Sequence, residues 1–294
     1  MKDFAPNDVA KNNFTADDFK ANEKGKNAAC LWLCVCGAFG KTGSRVVALA
    51  KESRDFRLVC AVDEKTPTFA EKDVTYLSNL RDSACETDVL IDFSSVRGLD
   101  ERLEYAASKG IPFVLAVTGL TQKQKELLRD ISQRIPVFYA SNFSIAANAL
   151  RLLTASARHL LKEEFSVDIF EKHHAEKKDS PSGTALSIAE EIERAASEKI
   201  SAERVFYASG AIECDVADAP TKKNALPLKE RIVSVRAGTL IGEHEVFFCG
   251  DGETLSLTHR AYDRDVFARG ALKAALFLHG KPPRLYGMDD LLRR

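Results

Sequence analysis

The stretch ACLWLCVCGAFGKTG, residues 29–43, decides the fold of this chain. Its apolar run through Cys36 is typical of a buried strand, the glycines that follow predict a tight turn, and a helix is predicted from Thr42 to Lys51. A second apolar run covers Phe56–Val62. Strand, glycine turn, helix and strand in this order form a βαβ unit, which predicts a parallel sheet.

The glycines from Gly37 to Gly43 follow a G-x-x-G-x-x-G pattern between the predicted strand and helix, a setting that suits the pyrophosphate of a dinucleotide. The letters GKT at residues 40–42 resemble the phosphate-binding loop of nucleotide triphosphatases. That motif needs four residues between its two glycines, but only two residues separate Gly37 from Gly40, so this interpretation is set aside. Asp63 ends the second strand, about 20 residues further on, where an acidic side chain binds the adenosine ribose. Lys65 is near enough to meet a 2′-phosphate, so NADH and NADPH both stay open as cofactors. The alternative is a plain glycine turn beside a solvated aspartate.

The pattern after this unit divides the chain into two halves. In the first half, predicted strands alternate with helices, as in a Rossmann-like, doubly wound α/β domain: strands at 88–93, 113–117 and 137–139, helices at 98–109 and 121–132. A helix at 146–161 leads to an α+β half with a mixed, largely antiparallel sheet: strands at 167–171, 232–235, 243–249 and 254–260, and a helix at 183–199. A final helix at 265–279 is expected to pack back on the first domain, and residues 209–229 are predicted to be a surface loop.

The charge balance excludes some classes of partner. Lys and Arg number 42 and Asp and Glu 43 in 294 residues, so no net positive field attracts the chain to nucleic acid or to an anionic membrane. No window approaches the apolar length of about 18 residues that a membrane span needs. We therefore expect a soluble protein with a small-molecule partner. Its length predicts two domains, since one domain usually has about 100 to 200 residues.

Seven cysteines are too few for a disulfide scaffold in a chain of this length. Cys34 and Cys36 alternate with apolar residues and are expected to be reduced thiols in a core, which predicts a cytoplasmic location. Neither paired C-x-x-C spacing nor a matching histidine cluster stands in the sequence, so no metal site is predicted. Residues 1–28 lack the features of a signal or transit peptide and are expected to form a flexible extension.

The run EKHHAEKKDSPSGT, residues 171–184, is the densest polar segment and leads from a predicted strand into a predicted helix. Ser182, Gly183 and Thr184 would present hydroxyls and amides at the positive end of that helix, which favours binding of a carboxylate. Lys177 supplies a positive charge nearby.

Histidine chemistry adds to this hypothesis. Histidine delivers a proton near neutral pH, which suits the reduction of an unsaturated ring. His173 and His174 would point to opposite faces of a strand, which argues against a shared metal. The alternative for the whole run is a set of surface charges, with Ser182 a plain helix cap.

The run HHAEKKDSPSGT at 173–184 resembles the most specific signature of the 4-hydroxy-tetrahydrodipicolinate reductase family, also called dihydrodipicolinate reductases. Supporting matches are the glycine loop, VLIDFS at 89–94, VTG at 117–119, SNFS at 141–144, VRAG at 235–238 with GEH at 242–244, and THRA at 258–261. The resemblance covers the chain from about residue 29 onward. It implies reduction of the dicarboxylate heterocycle 4-hydroxy-tetrahydrodipicolinate to tetrahydrodipicolinate by NADH or NADPH, in diaminopimelate and lysine biosynthesis, by a homotetramer.

The resemblance also implies roles for matching residues. His173 would be the proton donor and Lys177 its catalytic partner, with substrate ligands at His174, Ser182, Gly183 and Thr184. The dinucleotide would lie against Gly37, Ala38, Phe39, Gly40, Lys41, Thr42, Asp63, Ala116, Val117, Thr118, Ala140, Ser141, Asn142 and Phe143. Residues 29–144 and 262–294 would form the dinucleotide-binding domain, to which Arg264 and Phe267 return, and residues 145–261 the substrate-binding and oligomerisation domain.

Three segments depart from the family pattern. Ala116-Val117-Thr118-Gly119 stands where the family has G-T-T-G, so one hydroxyl is lost near the nicotinamide amide. Residues 207–231 lack the usual arginine and glycine pattern, and the first 28 residues have no counterpart. Two other hypotheses stay open: a nicotinamide dehydrogenase for another substrate, for instance an amino acid such as aspartate, and a dinucleotide sensor without catalysis.

Overall fold

The computed structural model describes residues 30–65, 71–197 and 228–293. The extension expected at residues 1–28 lies outside these ranges, and so does the loop predicted at 209–229 apart from its last two residues. The described residues form two sheets, one with seven strands and one with four.

The larger sheet contains the first six strands and the last one. They are β1 (Leu31–Cys36), β2 (Phe56–Val62), β3 (Thr75–Leu77), β4 (Val89–Asp92), β5 (Phe113–Leu115), β6 (Pro136–Tyr139) and β11 (Arg284–Tyr286). Their order is β11-β6-β5-β4-β1-β2-β3, and every pair is parallel.

Helices cover both faces of this sheet. Successive side chains of β1 point to opposite faces, so this strand contributes to two cores. The helices are α1 (Gly43–Glu52), α2 (Leu99–Lys109), α3 (Gln122–Ser132) and α6 (Asp265–Leu278). Leu33 and Val35 pack in one core with α1 and α6, whereas Cys34 and Cys36 pack in the other with α2 and α3. The predicted doubly wound architecture and the return of α6 to the first sheet are confirmed.

The smaller sheet follows in the chain and is mixed. Its strands are β7 (Ser166–His173), β8 (Ile232–Arg236), β9 (Gly242–Cys249) and β10 (Thr254–Ala261), in the order β10-β9-β7-β8. β7 and β8 are parallel, and the other pairs are antiparallel. Two helices, α4 (Ile145–Leu161) and α5 (Gly183–Ser197), pack with one face of it in a third core. The opposite face leaves Phe170, Val233 and Val235 exposed.

Some short elements differ from the sequence prediction. β7 continues to His173, two residues beyond its predicted end, and β3, β11 and the short helix α7 (Met288–Leu292) were not predicted. A strand of three residues is too short to show a periodic pattern, and it forms because a neighbouring strand offers hydrogen bonds. Single-turn 3₁₀ helices lie at Leu80–Asp82, Lys162–Glu164 and Leu228–Arg231. Among the described helices, none has both the length and the apolar character needed to span a membrane.

Candidate active site

The glycine loop leaves β1 at the carboxyl edge of the larger sheet and enters α1. Gly37 has a φ of 72°, and a Cβ there would lie 2.7 Å from backbone atoms of Phe93 and Ser94. A Cβ on Gly43 would lie 1.9 Å from the carbonyl oxygen of Gly37. Glycine is required at both positions, and the loop is held against its neighbours while Phe39 to Lys41 stay exposed. An exposed turn at the positive end of a helix fits the pyrophosphate of a dinucleotide.

Asp63 follows β2 at the same edge and braces the loop. Its Oδ2 accepts a hydrogen bond of 3.0 Å from the backbone N–H of Phe39, and its Oδ1 accepts one of 3.2 Å from that of Lys65. The ring of Phe39 in turn stacks on Tyr76, with 6.0 Å between the centroids. Asp63 therefore lies where a ribose is expected and also shapes the loop, a second role that the sequence did not indicate.

The remaining predicted cofactor segments lie at the same edge, since residues 116–118 follow β5 and residues 140–143 follow β6. The strand order reverses at β1, because β2 and β3 lie on one side of it and β4, β5 and β6 on the other. In open parallel sheets, such a reversal forms a crevice in which ligands bind. The side chains of Val117 and Phe143 are buried in the core. These two residues therefore offer their backbone to a ligand.

The predicted proton donor is the last residue of β7. Buried and half-exposed residues alternate along this strand, so His173 lies on the same face as the core residues Val167 and Ile169. His173 is 8 % exposed. His174 lies beyond the strand, not within it, and is half-buried; burial and the charge of Arg264 lower its pKa.

The turn before α5 differs in detail from the sequence expectation. Ser182 is 1 % exposed, its backbone N–H donates to Glu171 at 3.0 Å, and its Oγ accepts from the N–H of Ala185 as a helix cap. Its groups therefore already have protein partners. Gly183 is exposed, and the Oγ1 of Thr184 accepts a hydrogen bond of 2.9 Å from Asn142, which joins this turn to the loop after β6.

Lys177 has a partner that the sequence reasoning missed. Its Nζ lies 2.8 Å from Oδ2 of Asp179, within the same loop. Burial would raise the pKa of Asp179, but the hydrogen bond and charge of Lys177 outweigh it and the pKa is lowered. The lysine thus contacts a carboxylate of the protein at the place where a ligand carboxylate is expected.

The two groups of predicted residues face one cleft. Lys41 of the glycine loop lies 3.5 Å from Glu176 of the loop after β7, and both side chains are exposed. Arg264, at the start of α6, acts electrostatically on His174, and Phe267 packs against the core of the larger sheet. The structure therefore brings the glycine loop and the His173 to Thr184 run together across the junction of the two sheets.

Behind His173 lies a buried polar cluster that the sequence reasoning did not identify. Glu171 is fully buried, and its Oε1 accepts hydrogen bonds from Ser182 N–H at 3.0 Å, Ser234 Oγ at 2.7 Å and Arg236 at 2.8 Å. Its Oε2 lies 2.9 Å from Nδ1 of His173, a contact of ion-pair length in which the N–H is not aligned as in an ideal hydrogen bond. The alternation along β7 was the available signal, because it places a glutamate at an inward position.

Strand register assembles this cluster. Glu171 pairs with Ser234 on β8 and with His244 on β9, which in turn pairs with His259 on β10. The rings of His173 and His244 are 5.2 Å apart, and Nε2 of His244 lies 3.2 Å from Oγ of Ser182. Burial, reinforced by the neighbouring His173, lowers the pKa of His244 to about 3, so this histidine is neutral at physiological pH.

One group of potential metal ligands arises among the described residues. Single atoms of Glu171, His173 and His244 lie within 4.8 Å of one another. The guanidinium of Arg236 already neutralises Glu171 at 2.8 Å, and a metal cation beside it would be repelled. Ser182, Ser234 and Arg236 donate hydrogen bonds to Glu171, and Nε2 of His244 lies at hydrogen-bond distance from Oγ of Ser182, which favours a buried polar network over a metal site.

Two family models match the chain. The model described as dihydrodipicolinate reductase, N-terminus, matches residues 31–143, and the model described as dihydrodipicolinate reductase, C-terminus, matches residues 146–292. These matches include both sheets and the loops around the cleft.

Curated relatives agree with the family models. A 4-hydroxy-tetrahydrodipicolinate reductase from Caldanaerobacter subterraneus is 39 % identical over 262 residues, which are 89 % of this chain and 98 % of the relative. A protein of the same name from Clostridium tetani is 34 % identical, over 88 % of this chain and 96 % of its own. Among solved structures, the dipicolinate-bound dihydrodipicolinate reductase from Paenisporosarcina sp. TG-14 has the same fold, with a TM-score of 0.70 at 22 % identity over 89 % of this chain and 99 % of that one. The chain belongs to the dihydrodipicolinate reductase family.

Proposed function

We propose that this chain reduces 4-hydroxy-tetrahydrodipicolinate to tetrahydrodipicolinate with NADH or NADPH, in the diaminopimelate branch of lysine biosynthesis. Membership of the family supports the reaction. The observation that carries the site is the placement of His173 and the loop to Thr184 opposite the glycine loop, where Lys41 and Glu176 lie 3.5 Å apart. A cofactor on one side of this cleft and a substrate on the other would meet between the two sheets.

The cofactor fits the carboxyl edge of the larger sheet. The exposed turn from Phe39 to Lys41 would bind the pyrophosphate, Asp63 the adenosine ribose, and the segments 116–118 and 140–143 the nicotinamide end. The choice between NADH and NADPH depends on the surroundings of Asp63 and Lys65. When bound, the reduced nicotinamide supplies a hydride.

The substrate carries two carboxylates, and the loop after β7 offers groups to bind them. Lys177 would break its ion pair with Asp179, or keep it in part, and pair with one substrate carboxylate. The turn at Gly183 and Thr184 lies at the positive end of α5, where it could bind the other carboxylate. His174 is half-buried beside this cleft and completes the proposed ligand set, while the buried Ser182 holds the turn through its bonds to Glu171 and Ala185.

The reaction adds a hydride and a proton to the substrate and releases its 4-hydroxyl group as water, and His173 would deliver the proton. Its Nδ1 faces Glu171 at 2.9 Å, which leaves Nε2 as the atom that carries a proton to the substrate. Lys177 stabilises the negative charge that develops there. General acid catalysis of this kind contributes about 100- to 10,000-fold to the rate.

We also propose the domain roles that follow from this reaction. Residues 29–144 and 262–294 would bind the dinucleotide, and residues 145–261 would bind the substrate and form a homotetramer. The outer face of the smaller sheet, with Phe170, Val233 and Val235 exposed, supports assembly through this sheet. The cytoplasmic location stays a prediction.

The test is NAD(P)H oxidation, followed by absorbance, with the substrate made in situ from pyruvate and aspartate semialdehyde by the preceding enzyme. Substrate-dependent oxidation that is lost in Lys177→Ala and retained in Lys178→Ala, its exposed neighbour, would support the reaction and the site together. A folded protein that binds the dinucleotide but does not oxidise it with this substrate would overturn the proposal.

A further inference from the structure

Glu171 lies beneath the proposed proton donor and has no part in the mechanism described so far. It is fully buried on β7, two residues before His173 and on the same face of the strand. A buried carboxylate is costly unless several donors satisfy it. Its partners therefore indicate what it does.

The two carboxylate oxygens have different surroundings. Oε1 receives donors from three other places in the chain: Ser182 at the start of α5, and Ser234 and Arg236 on β8. Oε2 faces the histidines, with Nδ1 of His173 at 2.9 Å and Nε2 of His244 at 3.9 Å. One oxygen thus holds the turn that begins α5, and the other contacts the ring of the proton donor.

The carboxylate is ionised. Burial alone would raise the pKa of Glu171, but the contact with His173 and the hydrogen bonds from Ser182, Ser234 and Arg236 outweigh it and hold the pKa far below its usual range. Arg236 also donates 2.6 Å to the carbonyl oxygen of Asp179, so the same guanidinium ties Glu171 to the loop that carries Lys177.

We propose that Glu171 is a positioning residue for the reduction: its Oε2 keeps a proton on Nδ1 of His173 and presents Nε2 to the substrate, while its Oε1 holds the Ser182 turn. This inference rests on the proposed function. A carboxylate against Nδ1 orients an imidazole, selects its tautomer and stabilises its protonated form, as in other histidine-carboxylate pairs.

Other charged groups surround His173 and act on it as well. Arg236 approaches from β8, neutral His244 from β9 at 5.2 Å between ring centroids, and Lys177 with Asp179 from the loop that follows β7. Glu171 supplies the negative charge that contacts the ring directly, at 2.9 Å. A change at Glu171 is therefore expected to alter the pH dependence of catalysis most directly.

Glu171→Gln separates the two tasks. Ser182, Ser234 and Arg236 all donate toward the Oε1 side, so the amide oxygen of glutamine is expected there and its NH₂ group beside His173. An NH₂ donor against Nδ1 favours the opposite tautomer and disfavours the imidazolium. The turn that binds the substrate is retained, while proton delivery is impaired.

The experiment measures kcat and KM against pH for the wild-type enzyme, Glu171→Gln and Glu243→Gln. Glu243 is the matched control, because it lies on the neighbouring strand β9 and pairs with Lys172 and Arg260. For Glu171→Gln we expect kcat to fall about 10- to 100-fold with little change in the substrate KM. The alkaline limb of the kcat/KM profile should move to lower pH, because a negative charge in contact with the ring is lost. Glu243→Gln should keep the wild-type limb.

Three outcomes separate the hypotheses. A wild-type enzyme without activity overturns the proposed function itself. An active enzyme whose Glu171→Gln variant keeps the wild-type pH limb overturns the positioning role, and so does a variant that loses kcat and raises KM without a shift in the limb, since that is a structural effect. If the variant does not fold, nitrogen-15 NMR of histidine-labelled wild-type protein decides: we expect His173 in the Nδ1–H tautomer, and the Nε2–H tautomer would refute the proposal.

Discussion

Lys177 pairs with Asp179 at 2.8 Å, so the lysine proposed to bind a substrate carboxylate already contacts a carboxylate of its own loop. The pair is partly exposed, with 22 % of the lysine side chain and 55 % of the aspartate side chain accessible. Asp179 also accepts a hydrogen bond on its backbone oxygen from Arg236. The loop is therefore held near the buried cluster, and its carboxylate would compete for Lys177 with a bound substrate.

We expect Asp179→Asn to strengthen substrate binding. Removal of the competing charge frees Lys177 for the substrate. The free energy of an exposed ion pair is small, and its loss in the free enzyme corresponds to a decrease in the substrate KM of about 1.5- to 5-fold. The backbone contact to Arg236 is kept, so kcat should change little. Initial rates against substrate concentration measure both constants, with Asp251→Asn in the exposed turn between β9 and β10 as the control. A rise in KM would mean that Asp179 helps to bind the substrate.

Gly242 makes room beside His173, the proposed proton donor. A Cβ at this position would lie 3.1 Å from Nε2 of His173. We expect Gly242→Ala to displace the ring or crowd the atom that carries the proton, and so to lower kcat about tenfold, which is less than the roughly 100-fold or more that general acid catalysis contributes. The affinity for the dinucleotide should be unchanged.

Single-turnover rates and dinucleotide fluorescence titrations on the same preparation test this expectation. Thermal melting curves show whether the variant keeps its fold. Wild-type turnover in a folded Gly242→Ala variant would contradict the assignment of Nε2.

Asp63 is expected to discriminate between cofactors. Asp63→Ala removes an acceptor for the ribose hydroxyls and also the brace on Phe39, whose N–H it accepts at 3.0 Å. A hydrogen bond to a charged group contributes about 1.5 to 3 kcal/mol, so KM for NADH should rise about 10- to 100-fold. KM for NADPH should rise less, because the lost carboxylate also repels a 2′-phosphate.

Glu64→Ala is the matched control for this variant. Glu64 is the exposed neighbour of Asp63 and pairs with Arg97 at 3.3 Å. Glu64→Ala should leave the Michaelis constants for NADH and NADPH near their wild-type values. Equal effects of Asp63→Ala on the two cofactors would show that only the shape of the loop was lost.

His244 is expected to make folding stability depend on pH. Burial and the neighbouring His173 lower its folded-state pKa to about 3, whereas the unfolded value is about 6.5. Between these values the unfolded chain binds a proton that the folded protein does not bind. The free energy of unfolding therefore decreases as the pH falls from about 6.5, by up to about 1.4 kcal/mol per pH unit from this residue.

Urea unfolding at several pH values between 4.5 and 7 measures this slope. His244→Gln should have a shallower slope, since it removes the group that takes up the proton. His279→Gln changes an exposed histidine and should keep the wild-type slope. Parallel slopes for His244→Gln and wild type would rule out the buried neutral histidine.

Much of the fold was predictable because its signals are local. The apolar run of β1 and the glycine pattern that follows it predicted a strand, turn and helix, and the structure confirms them within one or two residues at each end. The motif around His173 and Lys177 likewise identified the loop between β7 and α5. β3 and β11 were missed, since three-residue strands have little pattern of their own and β11 pairs with β6 from far along the chain.

The two-sheet architecture, the glycine loop and the family could be inferred from the sequence, because each depends on residues within about one structural unit of each other. The support of His173, the proposed proton donor, became visible only in the folded chain. Arg236 and Ser234 reach Glu171 from 65 and 63 positions away, and Asn142 reaches Thr184 from 42. Such contacts depend on the register between strands and on the packing of one sheet beside the other, and the periodicity of short segments predicts neither of them.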